Sequence, residues 1–272
     1  MSDIAMSAPA ELKGVTIGYG REPVSIDLDL AIPSGKLTMV IGPNGCGKST
    51  ALRAMARLMA PQTGAVLLDG CDIRGLSTRQ VARRLGLLPQ QSIAPDGIRV
   101  AELVARGRHP HQGPFRQWSA ADETAVAEAM ELTGIAAYSG LPVDQLSGGQ
   151  RQRVWIALVL AQETPVLLLD EPTTFLDLTH QLEILDLCRH LTREGARTIA
   201  AVMHDLGHAC RYADHLIAMR GGAVIAAGPP AEIVTAELIR EVFDVEAMIM
   251  SDPVSGTPLV IPMIRKWSYQ RG

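Results

Sequence analysis

A chain of 272 residues, 47% of them hydrophobic, is long enough to bury a substantial core as one large domain or as one domain with an embedded subdomain. A net charge of −4 argues against a broad nucleic-acid or anionic-lipid surface, and 4% aromatic residues leave few platforms on which single strands could stack. No stretch approaches the roughly 18 uninterrupted apolar residues of a membrane span, no basic-then-apolar leader opens the chain, and Cys46, Cys71, Cys188 and Cys210 form no C-x-x-C pair, so a cytosolic protein, or one that docks on a membrane protein, is expected.

Residues 12–35 alternate apolar and polar side chains between glycines, as do residues 63–74, where an apolar run precedes an Asp69-Gly70 turn; both predict short antiparallel strands of a small sheet. Between them the apolar run 37–41 leads into Gly42-Pro43-Asn44-Gly45-Cys46-Gly47-Lys48-Ser49-Thr50, a G-x-x-x-x-G-K-S loop. Its small residues let successive backbone N–H groups converge on a phosphate, and it opens a helix whose N-terminal dipole favours the same anion. Lys48, expected at the surface of its loop, is placed to reach the β- and γ-phosphates of a nucleotide, and the Ser49 hydroxyl to complete the shell of a magnesium ion. Cys46 and Thr50 are expected to contribute packing or backbone rather than chemistry.

Ser77 with Gln80 matches a capping box and starts a short helix through residue 84. Residues 92–145 are helical in pattern, with helices at 100–106 and 120–133 separated by the Pro/Gly-rich stretch 107–113, which predicts an inserted helical subdomain. His109 and His111 within that stretch lack nearby carboxylates or thiolates and sit beside Arg106 and Arg108, which repel a cation, so no metal site is read there. Ser147, Gly148 and Gly149 have the composition of a second anion-binding helix start, followed by an apolar helical stretch to residue 161. The run 166–169 then delivers Asp170 as a buried parallel strand would, at the carboxyl edge of an α/β sheet where ligands bind, a position suited to magnesium. Glu171 would lie near the γ-phosphate as base or orienter of the attacking water, with Gln90 and His204 helping to position water, metal and phosphate. A helix at 178–193, a strand at 198–203 and strands near 216–219 and 223–226 restore α/β alternation, and the tail 251–272, with Pro253, Pro258 and Pro262, reads as extended.

Leu146-Ser147-Gly148-Gly149-Gln150-Arg151-Gln152-Arg153 resembles the signature of ABC-type ATPases, and the order of the other segments agrees. Gln90 in Leu87-Leu88-Pro89-Gln90 is similar to the family's Q-loop, Leu176-Asp177 to its D-loop, His204 in Val202-Met203-His204-Asp205 to its switch histidine, and Tyr19 to the aromatic that stacks on adenine. The resemblance implies an α/β fold with a P-loop NTPase (RecA-like) core, a flanking antiparallel β-subdomain and an inserted α-helical subdomain at about 92–145, all within one ABC ATPase domain over 1–272. It implies ATP and Mg2+ as cofactors, with Ser49, Gln90 and Asp170 on the metal. It also implies a homodimer, because in that family Ser147, Gly148, Gly149 and Gln150 close over the nucleotide of a partner chain. The helical subdomain of such proteins carries a groove for a short helix of a polytopic membrane permease; Arg106, Arg108 and His109 would dock there, and Gln90 would link the groove to the γ-phosphate. The chain is then expected as a peripheral protein on the cytoplasmic face of the inner membrane, serving a substrate-binding protein only indirectly.

Within that family the resemblance narrows. The segment from Val104 to His111, Trp155-Ile156-Ala157, Ala161-Gln162-Glu163-Thr164, the stretch from His204 to Asp214, and Asp252-Pro253-Val254-Ser255-Gly256-Thr257-Pro258 look like the ATP-binding subunits of ferric-siderophore importers, with haem and cobalamin importers as close relatives. Phe175 departs from the small residue common at its D-loop position, though an aromatic there is similar to the siderophore group. The competing reading is a soluble ABC-type assembly factor or nucleic-acid machine without a membrane partner. A single P-loop, an acidic balance and the absence of a long coiled-coil insertion favour the importer.

Overall fold

In a computed structural model, residues 8–20, 22–113, 118–174 and 176–263 are described. The long antiparallel strands β1 (Ala10–Tyr19) and β2 (Glu22–Ile32) come first, followed by the wholly buried β3 (Leu37–Ile41), the P-loop and α1 (Lys48–Met55). Strand β4 (Thr63–Leu68) returns to pair with β1, and the short β5 (Cys71–Asp72) completes a four-stranded antiparallel sheet in the order β2-β1-β4-β5. Helix α2 (Thr78–Ala82) begins at the Ser77–Gln80 capping box and leads to β6 (Leu85–Leu88). A helical layer follows, built from α3 (Val100–Ala105), α4 (Ala120–Leu132) and α5 (Gly148–Ala161).

The second half alternates: β7 (Val166–Asp170), α6 (Leu178–Arg193), β8 (Thr198–Val202), α7 (Leu206–Tyr212), β9 (His215–Arg220) and β10 (Ala223–Gly228). The chain continues through α8 (Pro230–Ile233) and α9 (Ala236–Phe243) to a hairpin of β11 (Ala247–Ser251) and β12 (Pro258–Pro262). The central sheet has the order β10-β9-β3-β8-β7-β6, all parallel except β10. Its inner strands β3, β7 and β8 are buried at every position and largely apolar because both faces are covered. Leu37, Met39 and Ile41 of β3 face the cluster shared with α5 and α6, whereas Val40 faces the one shared with α1 and the antiparallel sheet. Leu167 and Leu169 divide from Val166 and Leu168 in the same way, as the two-residue side-chain period requires.

Three expectations need correction. Residues 92–99 are not helical, and the helical layer starts only at Val100. The stretch read as a breaker between helices winds as a 3-10 turn, Arg106–His111. The tail is paired rather than merely extended: β11 and β12 form an antiparallel hairpin whose turn is tied back to α7 by Arg211 on Asp252. Asp252 Oδ1 accepts from the N–H groups of Val254 and Ser255, which closes that turn. The rest of the predicted tail, 264–272, lies outside the described residues.

Candidate nucleotide site

Where β3 ends, the chain must turn sharply over the neighbouring strand. A Cβ on Gly42 (φ 151°) would stand 2.2 Å from the Met219 carbonyl oxygen of β9, so only glycine fits. Gly47, at φ 103°, caps α1 with no side-chain hydrogen bond, so the first N–H groups of that helix are not satisfied by a cap. Lys48 follows immediately, and its ammonium donates to the carbonyls of Gly42 at 2.8 Å and Pro43 at 2.9 Å. A third, longer contact runs to the Cys46 sulfur at 3.9 Å, so the cation is held by its own loop on all three donors. The residue is 5% exposed, which corrects the expectation of a surface lysine: the loop wraps around its own cation.

Ser49 donates to Asp170 Oδ1 at 2.7 Å, joining the first turn of α1 to the end of β7. Burial raises the Asp170 carboxyl above its ordinary value, against the Ser49 hydrogen bond, and Oδ2 is buried with no hydrogen-bond partner. A hydroxyl beside a desolvated carboxylate with an unsatisfied oxygen is a donor set that fits a hard divalent cation such as Mg2+.

Lys48 and Ser49 open into a cleft of about 530 Å3, bordered by Tyr19, Asn44, Gly45, Gly47 and Thr50 on the same side and by Gln90, Glu171 and His204 on the other; Asp170 lies behind Ser49 and does not line it. Tyr19 is exposed at its rim, its hydroxyl accepting from Arg53 at 3.1 Å. Gly42, Pro43 and Cys46 lie below the cleft rather than on it, with Cys46 packed into the apolar cluster under α1.

The far wall is made by three adjacent strands. Gln90, Glu171 and His204 leave the carboxyl ends of β6, β7 and β8, the edge at which parallel sheets bind ligands. Gln90 Nε2 and His204 Nε2 both stand 2.7 Å from Glu171 Oε1, and the Thr174 hydroxyl donates to Oε2 at 3.1 Å. Burial pushes the Glu171 carboxyl up, but the hydrogen bonds from His204 and Gln90 outweigh it and hold the group below its ordinary value. Glu171 also has φ 58°, a left-handed backbone that a non-glycine residue adopts only where its surroundings impose it. Thr174 went unnoticed in the sequence; its only signal is its place three residues after Glu171.

The second predicted anion site is a separate place. Ser147 Oγ accepts from Gln150 N at 3.2 Å, and Gln150 Oε1 accepts from Ser147 N at 2.9 Å, a reciprocal cap. Ser147, Gly148, Gly149 and Gln150 border a cleft of about 410 Å3 together with Asp177, which caps α6 through His180. That cleft shares no residue with the first. A third cleft, about 380 Å3, runs from Gln90 along α5 past Gly148, Arg151, Gln152 and Trp155.

Of the residues expected to dock a partner, Arg106 and His109 are exposed. Arg108 is not: it is 3% exposed and ion-paired to Asp122 and Glu163, so it presents no surface and that expectation is corrected. Phe175 lies outside the described residues.

The sequence pattern of the ABC transporter family matches residues 26–174, more than half of the chain. The chain is 55% identical to the ferric enterobactin transport ATP-binding protein FepC of Escherichia coli (strain K12), over 94% of this chain and 95% of that protein. It is 49% identical to the iron(3+)-hydroxamate import ATP-binding protein FhuC of Bacillus subtilis (strain 168), over 90% and 91%. Among solved structures, the dimeric bacterial ABC transporter cassette MJ0796 is similar with a TM-score of 0.73 at 28% identity, covering 81% of this chain and 98% of that one. Agreement between a pattern whose matched span, 26–174, includes both loops described above and relatives that span nearly the whole length means that the chain belongs to the ABC transporter family, as one of its ATP-binding subunits.

Proposed function

We propose that this chain hydrolyses ATP to power a membrane importer of ferric siderophores. The observation that carries the catalytic part is the meeting of Gln90 and His204 on one oxygen of Glu171, across a single cleft from Lys48. In this reading Tyr19 offers its ring to the adenine, and the loop N–H groups with the Lys48 ammonium hold the phosphates. Ser49, Asp170 and the Gln90 carbonyl oxygen would hold Mg2+, which supplies charge neutralisation and Lewis acidity at the terminal phosphates. Glu171, kept ionised, orients the attacking water and takes its proton; His204 fixes the carboxylate and faces the same end of the cleft.

Because Ser147 sits outside its own chain's P-loop cleft, each nucleotide would be completed by Ser147 of a second copy, giving a homodimer with two composite sites. The cleft from Gln90 to Trp155, with Arg106 and His109 exposed on the neighbouring turn, is the surface proposed to receive a short helix of a polytopic permease. Among the described residues no helix is long and apolar enough to cross a membrane, and the proposal attaches the chain peripherally at the cytoplasmic face of the inner membrane. A substrate-binding protein would act on it only through the permease.

The cargo rests on relatives at 49–55% identity whose names specify ferric enterobactin, achromobactin, petrobactin and iron(3+)-hydroxamate transport or import. Deleting the subunit should abolish ATP-dependent uptake of a radiolabelled ferric siderophore. Retained uptake with loss of haem or cobalamin uptake would reject the cargo and leave the ATPase reading standing, whereas failure to co-purify with any polytopic membrane protein would favour the soluble assembly factor.

A further inference from the structure

Helix α5 is 14 residues long, about 21 Å at 1.5 Å per residue. Ser147 caps one end, and the other end stops against a buried arginine. Arg108 Nε donates to Asp122 Oδ1 at 2.9 Å, and its Nη1 donates to the Ala161 carbonyl at 2.7 Å and to Glu163 Oε2 at 2.5 Å. Asp122 is 0% exposed, and its second oxygen accepts from the Ser119 N–H at 3.0 Å and hydroxyl at 2.7 Å, closing the cap of α4. Hydrogen bonds from Ser119 and then Arg108 hold that carboxyl down at about 2. One guanidinium therefore joins the first turn of α4 to the last turn of α5. The same 3-10 turn is tied to α2 as well, since Arg79 and Arg83 both donate to the Pro110 carbonyl, at 2.8 and 2.9 Å.

Burying a charge with two carboxylates is an expensive way to hold helices together, and apolar packing often does as well or better. What the guanidinium adds is a planar fork with fixed directions. We propose that Arg108 is a positioning residue: by pinning the trailing end of α5 to α4 it sets where Ser147, at the leading end, stands for the partner's nucleotide. Arg106 and His109 sit exposed on either side of it, so a load on that surface bears on the pin. The inference rests on the reading that Ser147 serves a second copy.

The test uses the full chain with Arg108→Lys, which keeps the charge and loses the fork, and with Glu163→Gln, which leaves the Arg108–Asp122 pair in place if the lysine variant fails to fold. In the Arg108→Lys protein, ATP affinity by calorimetry should stay within about twofold of wild type at unchanged stoichiometry, while kcat falls roughly tenfold or more through misplacement of Ser147. A merely structural role would lower the binding stoichiometry and kcat together. In a Glu171→Gln background, the ATP-dependent dimer seen by light scattering should disappear when Arg108→Lys is added, and weaken with Glu163→Gln. A dimer that forms equally well in both double variants, with kcat unchanged in the single ones, overturns the positioning role and leaves the composite site intact. A Glu171→Gln chain that never dimerises with ATP overturns both.

Discussion

Helices α1 and α5 both start beside glycine and a small polar residue, yet their first turns are finished differently. At α1 the cap is Gly47, which supplies no side chain, and the following Lys48 and Thr50 are buried. At α5 the cap is Ser147, already engaged with Gln150, and Ser147 and Gly148 are exposed. The first start has a cation and the Ser49–Asp170 pair beside it; the second has no lysine, Arg151 beside it is turned onto the Leu146 carbonyl, and Arg153, which lines its cleft, is held by Glu183. At α1 one chain supplies an anion with backbone donors, a cation and the Ser49–Asp170 pair. At α5 an anion finds a helix dipole, glycine backbone and a hydroxyl proton on an open face, which amounts to half a site.

Several variants would break or sharpen that contrast. The largest effect belongs to Glu171→Gln: it should lower kcat by about 10² to 10⁴-fold, the range for a lost general base, while Mg-ATP still binds and the paired form accumulates. Normal turnover would remove Glu171 from the chemistry. Lys48→Ala should reduce ATP affinity by roughly 10- to 100-fold, the worth of a charge-assisted hydrogen bond, and should lower Tm as well because the Gly42 and Pro43 carbonyls lose their donor. Calorimetry showing undiminished affinity in a folded variant would contradict the phosphate cradle.

Asp170 offers a test with opposite signs. Burial lifts its carboxyl above the ordinary 3.8, so its ionised form costs stability at neutral pH, a cost that falls away as pH drops through the raised value. Asp170→Asn should therefore leave the ligand-free Tm unchanged or higher, yet shrink the stabilisation that Mg-ATP gives, about 2.7 kcal/mol of free energy at one hundred times Kd in wild type, and with it the rise in Tm. Glu171 runs the other way. Held below 4.5, it stabilises the folded chain above that pH and loses the contribution as pH falls through its lowered value. The smallest effect on stability and on the chain's own ATP affinity is expected from Ser147→Ala, which should cost about 1 kcal/mol of stability through the lost cap and leave that affinity within about twofold, although turnover falls. A loss of affinity as large as that of Lys48→Ala would place Ser147 in its own chain's site.

The P-loop, Asp170, Glu171 and Ser147 stand out in the sequence because the phosphate and metal chemistry proposed for them would demand particular residues at fixed spacing. The sequence did not reveal what depends on distant segments. Gly107 and Pro110 read as helix breakers, but a Cβ on Gly107 would stand 2.3 Å from the Leu158 carbonyl oxygen. The glycine is there so that the Arg106–His111 turn can lie directly on α5, which carries Arg108 inward. Lys48 was misjudged for a similar reason, since its burial comes from the loop folding back on itself. The hairpin of β11 and β12 was hidden because Pro258 and Pro262 stand at the two ends of β12, where a two-stranded ladder tolerates them, and their pairing cannot be seen from one strand. Helix α9 buries Leu238, Ile239 and Val242 but carries none of the phosphate or metal motifs that mark the other segments.

The central claim, that each nucleotide site takes its P-loop from one chain and Ser147 from another, is tested most directly by mixing two inactive proteins. Lys48→Ala lacks a working P-loop and Ser147→Ala lacks a working signature, so each alone should hydrolyse ATP poorly. Mixed in equal amounts, half of the dimers pair one of each and carry one intact composite site, so the mixture should recover about a quarter of wild-type turnover. A mixture no more active than its separate components would show that both groups act within one chain, and would contradict the account.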